Sequence, residues 1–151
     1  MLVLNVKDVA IAALKAHDEG RLGYQIQHKN LHTRRDGSPL YSPGGKYRYP
    51  YKNDQGLQHC CAIGASIDDE HYTSRFEATT LEGIIDRKFP GPDIGISPDS
   101  ISELSRLQAM HDSAVNFTFC RDEHIRKMAE SQVEEFLIYA RELAGQEGEA
   151  A

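Results

Sequence analysis

The sequence predicts a mainly α protein: a single compact domain of four to five helices with a small β-hairpin or ordered-loop excursion, an α+β arrangement being the alternative. Three observations predict it. Apolar residues recur at helical spacing from Val6 to Leu14 and again from Ile125 to Leu143. Thr79 with Glu82 and Ser100 with Glu103 form capping-box patterns ahead of two more apolar stripes. Turn chemistry gathers in one stretch, Asp36-Gly37-Ser38-Pro39 and Ser42-Pro43-Gly44-Gly45.

The elements follow in order. Asn5 is placed to cap a first helix that turns Val6, Val9, Ala10, Ala13 and Leu14 to one face and stops at Gly20. Around Tyr41 and from Lys46 to Lys52 the chain alternates weakly, and Pro50 limits the second stretch to an edge strand or extended arm. From His59 to Ile67 the residues are small, apolar and uncharged, which predicts a buried short helix opened by Cys60-Cys61. A helix from Thr79 buries Leu81, Ile84, Ile85 and Phe89 before Pro90-Gly91-Pro92 ends it. The helix after Ser100 carries Ile101, Leu104, Leu107 and His111 on one stripe, and a last helix runs from about Asp122 to Leu143. Residues 1–144 thus read as one globular domain, with 21–56 as an excursion and 145–151 as a flexible tail.

The 151 residues suit one ordinary domain, and 40% hydrophobic with 26% charged content is that of a globular chain. The longest uncharged apolar run, Val9–Leu14, is far short of the roughly 20 residues of a membrane helix, and the N-terminus lacks a secretory pattern. Three cysteines, two of them adjacent, make no disulfide framework and fit a reducing cytoplasm. A net charge of −6 argues against a nucleic-acid coat, but that average conceals a division. The segment 21–52 carries +6 and five of the seven tyrosines, while the rest of the chain carries −12. Arg34, Arg35, Tyr41, Lys46, Tyr47, Arg48, Tyr49, Tyr51 and Lys52 therefore form the candidate binding set: cations for phosphate or carboxylate, rings for stacking. The alternative is that the segment lies over an acidic face made by Glu134, Glu135, Glu142 and Asp68–Glu70.

Two other constellations could carry chemistry. Cys60 or Cys61, if set at a helix N-terminus, would be an activated thiol, with His111 as base and Asp112 to orient it. Against this, adjacent cysteines followed by Ala-Ile-Gly-Ala also read as plain close packing. Cys120 and His124 stand one helical turn apart, and His59 with a vicinal cysteine could complete a metal set, although adjacent cysteines suit zinc poorly. No metal or other cofactor is expected. Phosphate-binding glycine loops and hydrolase elbows are absent from the sequence.

The order of these features resembles a loose group of small uncharacterised proteins of phages, prophages and bacterial genomes. The resemblance rests on Gly23 with Gln25 or Gln27, on Cys60-Cys61-Ala62-Ile63-Gly64-Ala65, and on Leu107-Gln108-Ala109-Met110-His111-Asp112. The chain departs from the group in having His111 where asparagine is usual, and in its long tyrosine-rich insert. The resemblance implies a phage-type context in the host cytoplasm and brings no established activity. The missing catalytic motif, the acidic surface and the basic, tyrosine-rich patch lead to the expected role, an accessory protein that binds and inhibits or modulates a host or defence protein. Asp112 is expected to accept backbone N–H groups at the start of the cysteine helix. A thiol-dependent hydrolase or transferase, and nucleic-acid or phosphate binding through 21–52, are the alternatives. Neither a membrane partner nor a particular oligomeric state is indicated.

Overall fold

A computed structural model describes residues 2–31, 34–35, 47–67, 94–96 and 98–145. The protein is mainly helical. Its described elements are β1 (Leu2–Leu4), α1 (Val6–Asp18), β2 (Arg48–Lys52), β3 (Gln58–Cys60), β4 (Ile94–Ile96), α2 (Ile101–Thr118), the single-turn α3 (Glu123–Arg126) and α4 (Ala129–Ala144). Short 3-10 turns at Gly23–Gln25, His28–Asn30, Gly64–Ser66 and Pro98–Ser100 join them. Three long helices and one single turn are slightly fewer than the four to five expected. The helix expected from Thr79 to Phe89, the turns at 36–45 and the tail beyond Gly145 lie outside the described residues.

Helix α1 forms as its sequence predicts. The Asn5 side chain accepts the Asp8 N–H at 2.9 Å and donates its own amide to the Asp8 carboxylate at 2.7 Å. Val9, Ala10, Ala13, Leu14 and Ala16 are buried, and three of those five are alanine, so α4 approaches closely. Gly20 ends the element at φ +71, where an L side chain would be strained. Ser100 departs from its expected role. Its hydroxyl makes no bond to its own helix and instead accepts the N–H of Val6 at 3.1 Å, capping α1 from 94 residues away. Beside it, β1 and β4 form a two-stranded parallel pair, Leu2 opposite Ile94 and Leu4 opposite Ile96, which the sequence reading did not foresee.

The expected hairpin exists, but its second strand is the cysteine segment. β2 pairs antiparallel with β3, Arg48 opposite Cys60 and Lys52 opposite Gln58. Three residues lie between the paired positions on β2 and one between those on β3, so the strand bulges around exposed Pro50, which has no N–H to donate. Cys60-Cys61 accordingly closes a strand and does not open a helix. A turn and one 3-10 turn follow, with Gly64 set so tightly that an added Cβ would stand 2.0 Å from the Tyr47 carbonyl oxygen. The expectation of burial holds, since His59 through Gly64 are all inside.

Helices α2 and α4 complete the core. Leu104, Leu107, His111, Ala114 and Val115 face inward from α2, and Phe136, Leu137, Ala140 and Ala144 from α4. The single long helix expected from Asp122 is broken. Asp122 caps the His124 N–H at 2.8 Å to start α3, and the chain turns at Lys127–Met128 before α4 begins. Met128, expected on the apolar stripe, is 49% exposed.

Candidate functional site

The three motif segments meet in one buried seam. Its centre is His111, enclosed by the rings of Tyr24 and Phe136 at 5.8 and 5.9 Å between centroids. The Gly23 N–H donates to His111 Nε2 at 3.1 Å, so Nδ1 carries the ring proton and donates it to Asp112 Oδ1 at 3.0 Å. Asp112 Oδ1 also accepts the Gln108 side-chain amide at 3.1 Å, and Gln108 Oε1 accepts the Ile63 N–H at 3.1 Å. The expectation for Asp112 is thus corrected. It touches no backbone N–H of the cysteine segment, and the acceptor there is Gln108, one helical turn earlier, which Asp112 orients.

The seam continues through the hairpin. Cys60 donates its N–H to Arg21 O at 2.8 Å, a parallel bridge pairs Cys60 with Leu22, and His59 Nδ1 donates to Leu22 O at 3.0 Å. Gln25 closes the other side. Its Oε1 accepts the Leu22 N–H and its amide donates to His17 O at 2.9 Å, while the Tyr24 hydroxyl donates to His17 Nδ1 at 2.7 Å. Burial holds His59 and His17 below their ordinary pKa and raises that of Tyr24, because a charge on any of them would lose its water.

The thiols occupy the same interior. Cys60 is 2% exposed and desolvation pushes its pKa up to about 11; Cys61 is fully buried and is pushed higher still for the same reason. Cys61 Sγ accepts the Gly64 N–H at 3.1 Å. Both nitrogens of His111 are engaged, so the ring offers no lone pair to either thiol. This is the enclosed, apolar setting of a packing cysteine and not the electropositive, accessible one of a thiolate nucleophile. Cys120 and His124 have no companions, since among the described residues no group of three or more histidine, cysteine or acidic side chains could hold a metal ion.

The basic, tyrosine-rich set divides. Tyr47 and Tyr49 are core residues, 8% and 0% exposed, which corrects their expected place on an open binding face. Tyr51 is half-buried against the core. Arg48 is half-buried and donates to Ile67 O at 2.9 Å, anchoring the hairpin. Arg34 is half-buried, whereas Arg35 and Lys52 are exposed. Tyr41 and Lys46 lie outside the described residues.

Sequence reasoning missed a second feature, a furrow between α2 and α4. Arg106 and Met110 form one wall and Glu135, Ile138, Tyr139 and Glu142 the other. The Arg106 guanidinium lies over the Tyr139 ring at 4.6 Å from its centroid. A signal was present in the sequence. Glu130, Glu134, Ile138 and Glu142 recur every four residues, so Ile138 is the apolar member of an otherwise acidic line. Among the described residues no helix is long and apolar enough to cross a membrane. No protein-family model, no curated protein and no solved structure matches the chain.

Proposed function

We propose that this chain is a non-catalytic binding protein of the phage-accessory type, which engages a host or defence protein in the cytoplasm and inhibits or modulates it by covering part of its surface. One observation carries the reading. The residues best suited to covalent chemistry, Cys60, Cys61, His111 and Asp112, are taken up in the hydrogen bonds and packing that join the hairpin to α2. Arginine, tyrosine, methionine and isoleucine, by contrast, line an outward furrow, and arginine, tyrosine and methionine are residue types enriched in protein interfaces.

Affinity capture with the intact chain from host lysate, at low and high salt, tests the reading. A stoichiometric partner retained at both is expected, and none at either overturns it. Thiol labelling of the folded protein with iodoacetamide at neutral pH separates it from a thiol enzyme. Half-exposed Cys120 should react alone, with Cys60 and Cys61 reacting only on unfolding. Fast, saturable labelling of Cys60 or Cys61 would restore the enzyme.

A further inference from the structure

We infer that the α2–α4 furrow is the docking surface, and that its occupant is an apolar segment of another protein bearing lysine or arginine. The inference rests on the binding-protein reading and adds the place and the partner's chemistry.

Both sides of the furrow carry apolar side chains. Ile138 is 48% exposed, and half-buried Met110 and Tyr139 continue the surface beside it. Tyr139 is held before any partner arrives, because the Arg106 guanidinium stacks on its ring and restricts it. An aromatic wall already fixed loses little freedom on binding.

The α4 side of the furrow is acidic. Glu135 and Glu142 line the furrow, Glu130 and Glu134 lie exposed along the same helix, and none has an ion pair among the described residues. Glu103, one turn before Arg106 and electrostatically linked to Tyr139, keeps a shielded carboxylate oxygen with no hydrogen-bond partner. The furrow's cation, Arg106, is engaged on the ring. Arg141, the one cation of α4 itself, lies toward His17 of α1. Cations on an incoming segment therefore meet carboxylates that have no ion pair among the described residues, while its apolar side chains cover Ile138 and Met110. A furrow between helices suits an amphipathic helix laid along it.

The test measures fluorescence anisotropy of two short amphipathic peptides, leucine with lysine and leucine with glutamate, against the intact chain. The leucine–lysine peptide is expected to bind and the leucine–glutamate peptide not to. Ile138→Ser, and Glu135→Gln combined with Glu142→Gln, should each weaken binding about tenfold or more. Asp18→Asn combined with Asp54→Asn, on a separate acidic cleft, should leave it within about twofold. Equal loss in that control, no loss in the furrow variants, or no binding at all overturns the inference. Self-association abolished by Ile138→Ser would also overturn it, making a second copy the occupant. The two readings fail separately: a lysate partner that binds Ile138→Ser undiminished sinks the furrow and leaves the binding protein standing.

Discussion

Helix α2 belongs to two regions that use similar residue types for opposite ends. Its inner side brings Gln108, His111 and Asp112 to the seam, where their polar atoms hold Gly23 and the chain after the cysteines in place. Its outer side brings Arg106 and Met110 to the furrow, where Arg106 lies over the Tyr139 ring and Met110 is half-buried at the margin of the core. A conspicuous motif can therefore be a joint. A buried histidine with both nitrogens bonded is a fastening, and an exposed arginine stacked on a half-buried ring is available for recognition.

That contrast can be broken at either region, and substitutions in the seam should do more damage. Gly64→Ala should have the largest effect. Its methyl would meet the Tyr47 backbone at 2.0 Å, and backbone cannot swing aside as a flexible side chain can. The expected loss is at least about 3 kcal/mol in urea unfolding, and an unchanged midpoint would refute the tight approach. His111→Ala should follow, at about 3 kcal/mol, because it strands the buried Gly23 N–H and opens a hole between Tyr24 and Phe136. Gln108→Ala should cost about 1–2 kcal/mol by leaving the Ile63 N–H unpaired. Asp112→Ala should cost less, about 1 kcal/mol, since its side chain is 39% exposed and acts through its neighbours. If Asp112→Ala proves the more damaging of the two, the order of that chain is wrong.

Acid should loosen the same region. His59 and His17 both have folded pKa values lowered from 6.5, chiefly by desolvation. Below 6.5 the unfolded chain therefore binds more protons than the folded one, so their contribution is fully present above 6.5 and is lost as the pH falls through the lowered values. The urea midpoint should drop between about pH 7.5 and about pH 5.5, and a flat profile would contradict the buried, neutral state of these rings. The smallest effect belongs to the furrow. Ile138→Ser should change stability by no more than about 0.5 kcal/mol, and a larger loss would show that the outer face supports the fold after all.

What could be read in advance divides along similar lines. Helix α1 and the inner stripes of α2 and α4 were legible because burial of one helix face leaves a period of three and four that Val9, Leu104 and Phe136 obey. Cys60-Cys61 was legible as interior but not as strand. Its conformation is set by pairing with Arg48 and Leu22, residues distant in sequence, and such tertiary pairing overrides local tendency. Ser100 misled for a related reason, since its hydroxyl found a free N–H on another helix before one on its own. Tyr47 and Tyr49 shared a basic neighbourhood in sequence, but their rings turn inward while Lys52 remains in water. Charge density along the chain does not report direction across a strand.

The Ser100–Val6 bond also has a consequence for the order in which the protein is made. A ribosome releases α1 long before residue 100 exists, so the nascent helix emerges without that cap and without α4, one of the surfaces meant to cover Val9, Ala10 and Ala13. Its apolar face stays incompletely covered until α4, more than 100 residues further along the chain, has been synthesised. Folding of this protein is therefore settled late, and truncation within α4 should leave the first helix without its partner even though the two lie at opposite ends of the sequence.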